Sequence, residues 1–190
     1  MLTRRHFIST STALFSLPLA SPAFASTWPT ESQKAAWDAQ ITPVDYVPET
    51  SNPWGLQSRF LPRRVAANDG LTPGDIHVDA VARYLYHVEE GGTAMRYGVA
   101  IARGNLYEPG TYTIRRKVEW PHWTPTASMI ARDPEYEQWA DGMEPGPRNA
   151  LGSRALYLYT GDRDTYLRIH GSPHPRSIGG RASSGCVRMV

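Results

Sequence analysis

The stretch "RALYLYT-GDRD-TYLRIHG", residues 154–171, decides the fold class. Two runs alternate apolar and polar residues with the period of half-buried strands, and the turn "GDRD" (161–164) links them. The same pattern recurs upstream. "DIHVD" (75–79) alternates, and "RYLYHVEE" (83–90) and "TAMRYGVAIA" (93–102) are joined through Glu90-Gly91-Gly92 as a hairpin. "GTYTIRRKVEW" (110–120) places Tyr112 and Ile114 on one side and Thr111, Thr113 and Arg115 on the other. Many short strands with frequent turn signals predict a mainly β domain, a β-sandwich or curled mixed sheet with short helices.

The best helical pattern is "TASMIARDPEYEQWADG" (126–142), which Thr126 can cap and Pro134 must break or restart. "ESQKAAWDAQ" (31–40) suits a short helix, "ITPVDYVPETSNPWG" (41–55) reads as irregular chain, and 58–74 carry one short extended piece. "WPHWTPT" and "MEPGPRNALG" are long Pro/Gly connections, the kind of loop that carries function on a β scaffold.

The N-terminus is "MLTRRHFISTSTALFSLPLASPAFA". A basic head (Arg4, Arg5), a short apolar run and the small-x-small exit Ala23-Phe24-Ala25 make residues 1–25 a secretory signal, too short in apolar length to span a bilayer. "TRRHFI" resembles the twin-arginine export motif. The expectation is an exported protein of the periplasm or cell envelope, with no transmembrane anchor after signal cleavage. The full chain has 20 Lys and Arg against 18 Asp and Glu. Removing residues 1–25 takes two arginines and leaves formal neutrality, so charge does not point to nucleic acid or membrane. The rest is enough for one core and one domain.

Working outward from His170-Gly171, the chain ends "HGSPHPRSIGGRASSGCVRMV" and holds the single cysteine, Cys186. In an oxidising compartment a lone cysteine is an inert buried thiol, an intermolecular half-cystine or a nucleophile. His170 closes a strand pattern beside glycine, and the small residues Ser183-Ser184-Gly185 let a ligand approach the main chain. An imidazole in reach of a thiol can take its proton, and the backbone N–H groups of Gly185 and Cys186 could hold an oxyanion. From Arg148 to Val190 there are seven arginines and two acids, which suits a thiolate and an anionic substrate. Zinc is the competing chemistry, since His170 and His174 stand four apart. Pro173 and Pro175 bracket His174, so no helix forms and that spacing loses its geometric meaning.

These residues carry a resemblance. His170-Gly171, a spacer, then Ser183-Ser184-Gly185-Cys186-Val187-Arg188 resembles the signature of the L,D-transpeptidase (YkuD-like) family. "PGDIHVD…RYLYHVEEGG", "EPGTYTI" and "GPRNALGSRALYLY" match other family stretches in order, with Ala150 where a proline is usual. The resemblance covers about residues 59–190, leaving 26–58 as an irregular N-terminal segment.

The resemblance implies a YkuD-like β-sandwich and a peptidoglycan L,D-transpeptidase with no cofactor and no metal. Cys186 would be the nucleophile on the L,D bond of a tetrapeptide stem, releasing D-alanine. His170 would be general base and then acid, with the Gly171 backbone orienting it. Ser184, Gly185 and Cys186 would form the oxyanion hole, and Ser183 and Arg188 would bind substrate. The partners would be peptidoglycan stem peptides and, as an acyl acceptor, a second stem or a lipoprotein lysine, not nucleic acid. The alternatives are an L,D-carboxypeptidase that uses water, or a non-catalytic wall-binding protein of the same fold. An active thiol is expected to alkylate fast. Family members continue past the arginine, so the domain is expected to be truncated at its C-terminus.

Overall fold

The computed structural model describes residues 28–190. The N-terminal signal expectation lies outside them. In chain order the elements are α1 (Glu31–Ile41), β1 (Arg63–Ala66), β2 (Ile76–Asp79), β3 (Tyr84–Glu89), β4 (Thr93–Gly98), β5 (Ile101–Ala102), β6 (Thr113–Glu119), α2 (Ala127–Arg132), β7 (Arg154–Thr160), β8 (Arg163–His170), β9 (Arg181–Ser183) and β10 (Val187–Arg188). Single 3-10 turns occupy 58–60, 134–139 and 175–177.

The strands form two four-stranded sheets. The first, in order β1-β4-β3-β2, is antiparallel throughout. Its β3–β4 hairpin turns where expected, with Gly91 and Gly92 both at positive φ (76° and 75°), a region closed to most L side chains. The second runs β6-β7-β8-β10, with β7 and β8 the hairpin read from "RALYLYT-GDRD-TYLRIH". β10 lies parallel to β8, pairing Val187 with Ile169 and Arg188 with His170. A two-residue bridge joins the sheets: Ala100 N–H donates to the Arg188 carbonyl at 2.9 Å, and Arg188 N–H to the Ala100 carbonyl at 2.8 Å. β5 and β9 form a short parallel pair beside it.

The core lies between the sheets. Leu85 of the first meets Ile169 and Val187 of the second, and Val99, just past β4, and Ile101 of β5 complete the cluster. Ile76, Val78, Leu156 and Leu158 complete this layer, so a sandwich forms because each sheet has one apolar face to cover. A second cluster gathers Leu56, Phe60, Ala100 and Ile178. Here Gly98 is required, since a Cβ would stand 2.5 Å from Phe60 Cβ.

The helical parts follow their caps. Thr30 and Gln33 make a capping box on α1, and Arg154 at the head of β7 holds Asp38 of that helix with bonds of 3.1 and 2.9 Å. Thr126 caps α2, which stops at Arg132, and Pro134 restarts the chain as a 3-10 turn. On β6 the simple alternation fails at a bulge between Ile114 and Arg116, leaving Arg115, Arg116 and Lys117 all exposed.

Candidate active site

The site grows from the pairing of β8 with β10. Ile169 and Val187 are register partners and both face the core. Side chains alternate along a strand, so His170, Arg168, Cys186 and Arg188 share the opposite face. That face floors a cavity of about 910 Å³ lined by all four. Its far wall is the helical insertion, which contributes Thr126, Met129, Tyr136 and Trp139. Asp133 holds the insertion to Arg103 at 2.6 Å, and the Tyr136 hydroxyl stands 3.5 Å from Ser184 Oγ.

His170 ends β8 and is buried, 5% exposed. Its Nδ1 lies 2.5 Å from the Gly171 carbonyl. A carbonyl only accepts, so Nδ1 carries the proton and Nε2 keeps its lone pair. Burial pulls the imidazole pKa down to about 4; the positive charges of Arg188 and Arg168 act in the same direction, and the Gly171 and Leu151 carbonyls oppose them. The ring is therefore neutral at ordinary pH.

Cys186 is half-buried at the foot of β10, with Gly185 before it at φ +147°. Burial pushes its thiol pKa up, while the Arg168 backbone N–H and the charges of Arg168 and Arg188 act the other way. The free protein thus holds a neutral thiol in the same cavity as a neutral imidazole. Fast alkylation of the resting thiol is not what this environment favours. The Sγ lies 3.9 Å from the Tyr166 carbonyl. Tyr166 sits in a bulge of β8 at φ +61° and is 70% exposed, among the residues lining the cavity.

The turn before the thiol is braced from within. The buried Ser183 hydroxyl, suggested by the sequence for substrate contact, donates to the Cys186 carbonyl. Gly185 N–H leans on Ser183 Oγ at 3.4 Å, a long contact. The two arginines differ. Arg168 is occupied, holding Asp164 at 2.7 and 2.9 Å with its guanidinium 3.9 Å from the centre of the Tyr157 ring. Arg188 pairs with no carboxylate among the described residues, its Nε is buried without a partner, and burial lowers its pKa. Such a group calls for an anion.

Of the residues the sequence nominated, His170, the turn 183–186 and Arg188 line this cavity; Gly171 lies outside its lining and touches it through the His170 ring. Sequence reasoning missed Tyr136, Tyr166 and the buried Asn149. Only Asn149 had a signal, in "GPRNALG". Among the described residues no cluster of three or more His, Cys, Asp or Glu could hold a metal ion, and no helix is long and apolar enough to cross a membrane.

The chain is similar to several known proteins. The family model for the L,D-transpeptidase catalytic domain, YkuD, matches residues 73–190. The chain is 36% identical over 123 residues to "Putative L,D-transpeptidase in ATP synthase subunits region ORF 5" of Fuscovulum blasticum, covering 64% of this chain and 61% of that protein. It is 30% identical over 144 residues to "Probable L,D-transpeptidase YbiS" of Escherichia coli K12, covering 74% of this chain and 45% of that one. The chain thus spans 61% and 45% of the length of these two relatives. A crystal structure from Brucella melitensis, described as a "Probable carnitine operon oxidoreductase caia", is similar with 48% identity and a TM-score of 0.55 over 71% of this chain and 84% of its own. By its matched domain and its named relatives, the chain belongs to the L,D-transpeptidase (YkuD) catalytic-domain family.

Proposed function

We propose that the protein is an exported, cysteine-dependent acyltransferase of the cell envelope. It cuts the L,D bond of a peptidoglycan tetrapeptide stem and passes the acyl group to an amine. The observation that carries the reading is the shared face of β8 and β10, which sets Cys186, His170 and an unpaired Arg188 in one cavity. In this reading Arg188 receives a substrate carboxylate. As the carbonyl carbon of the third stem residue approaches, Nε2 of His170 takes the thiol proton and Sγ forms the C–S bond. The carbonyl oxygen becomes an oxyanion held by backbone N–H groups of the turn 184–186, Gly185 N–H turning to it from Ser183 Oγ. The C–N bond then breaks, and the imidazolium returns its proton to the leaving D-alanine amine. An incoming amine attacks the thioester and gives its proton to His170; the C–S bond breaks, and the imidazolium returns that proton to Sγ, restoring the thiol.

The neutral resting pair gives this sequence its character. Proton transfer accompanies attack, rather than preceding it as a stored thiolate–imidazolium pair. The protein is incubated with disaccharide-tetrapeptide, and chromatography follows free D-alanine. A diaminopimelate or lysine amine acceptor should give a cross-linked or amide product. Tripeptide alone would mark a carboxypeptidase, and no D-alanine would refute turnover and favour a wall-binding role.

A further inference from the structure

We propose that Asn149 and Gly152 are positioning residues for the general base, acting through the backbone that holds the His170 imidazole; this rests on the catalytic role given to His170 above. The Gly171 carbonyl meets Nδ1, and the Leu151 carbonyl favours the charged form of the same ring. Each is located by something other than the strand ladder.

Asn149 is 1% exposed, and its side chain is fully engaged. Its Nδ2 donates to the Met143 and Glu144 carbonyls, both at 3.0 Å, and its Oδ1 accepts from Leu151 N–H at 2.8 Å. Its own carbonyl accepts from Gly152 N–H at 2.9 Å. Met143 in turn exchanges two backbone bonds, of 2.6 and 3.1 Å, with Trp123 in the cavity wall. One buried amide therefore ties the wall to the Leu151-Gly152 peptide. A buried amide with all its partners present is a rigid fitting, since breaking any bond strands a polar group.

Gly152 supplies the other contact. It sits at φ +63°, and a Cβ there would stand 2.6 Å from the Gly171 carbonyl carbon and 2.7 Å from Ser172 N. Those are backbone atoms and cannot swing aside. Gly171 is tethered as well, donating to the Arg154 carbonyl at 2.9 Å. The Gly171 peptide thus rests directly on Gly152, and its carbonyl is the acceptor for Nδ1. A side chain at 152 moves that carbonyl. Nδ1 then loses its preferred acceptor, and the ring is free to take the Nε2–H tautomer, which cannot accept the thiol proton. The stretch "GPRNALG" between the insertion and β7 gains a purpose: it sets the tautomer of the base.

The test uses the full chain and two glycine variants. Gly152→Ala should lower kcat for D-alanine release about 100-fold, with KM held within about threefold. In the imidazole nitrogen–proton correlation spectrum at neutral pH, wild type should show His170 as the Nδ1–H tautomer, and Gly152→Ala should gain Nε2–H. Gly161→Ala is the control. It imposes a similar left-handed conformation (φ +57°) at the tip of the same hairpin with nothing within 4 Å of the added carbon. It should leave kcat and tautomer alone. Asn149→Asp, which keeps the acceptor for Leu151 and loses the two donors, should shift the tautomer in the same direction as Gly152→Ala. An unchanged tautomer and kcat in Gly152→Ala, or an equal loss in Gly161→Ala, would overturn the proposal. A tautomer shift in a protein that releases no D-alanine would instead leave the positioning intact and remove the catalytic reading.

Discussion

Lowering the pH should unfold this protein partly through one buried ring. His170 has a folded pKa of about 4, against an ordinary value of 6.5. Between those values the unfolded chain binds a proton that the folded chain refuses. The group therefore contributes its full stability above pH 6.5, loses it progressively as the pH falls, and contributes none below about 4. The gap between the two values corresponds to about 3 kcal/mol, a large share of a typical domain's 5–15 kcal/mol. Carboxylates titrate over part of the same window, so the measurement is a difference. Urea unfolding of wild type and His170→Gln is followed from pH 8 to pH 4, and the free energies are subtracted at each pH. The glutamine cannot titrate, so the background cancels. The wild-type advantage should shrink by about 3 kcal/mol on descending through pH 6.5 to 4. A flat difference curve would mean that the ring titrates normally and that burial does not set its charge.

Three further outcomes follow from the same geometry. Alkylation of Cys186 by iodoacetamide in the free protein should be slower at pH 7 than that of free cysteine and should still be climbing at pH values where free cysteine has levelled off, because burial raises the thiol; a plateau below pH 7 would indicate a preformed thiolate. Arg188→Met should keep or raise the melting temperature while increasing KM for an anionic donor by about tenfold, since the guanidinium is half-buried without a carboxylate partner; a large drop in melting temperature would make it a structural brace. Phe60→Ala should cost about 3–5 kcal/mol in chemical denaturation, because its ring centres the second cluster against Gly98 and Gly179; a loss under about 1 kcal/mol would show that the cluster collapses around the gap.

The parts of the fold that were legible in the sequence are those where pattern and burial coincide. The β3–β4 and β7–β8 hairpins alternate along one buried face and turn at glycine. The break between α2 and the turn at Pro134 follows from a missing N–H. The placement of His170 at a strand end and of Cys186 in a small-residue turn was equally readable. Less accessible was the two-residue strand β10, which pairs in parallel with β8 across sixteen intervening residues and has no periodicity of its own. The bulges at Ile114 and Tyr166 depend on partner strands rather than on local propensity. The charge states were hidden for a related reason. A Cys–His pair in sequence suggests an ion pair, whereas burial of both groups favours their neutral forms. Asn149 shows the limit from the other side: its motif was visible, but no periodicity says that its side chain turns inward to hold Met143, Glu144 and Leu151 of its own loop.

The central claim is that Cys186 becomes acylated. Intact mass spectrometry of the protein after brief incubation with disaccharide-tetrapeptide tests it most directly. The account predicts a mass gain equal to the donor minus D-alanine, located on the peptide containing Cys186 and abolished in Cys186→Ala. An adduct that persists in Cys186→Ala, or D-alanine release by that variant at the wild-type rate, would contradict it.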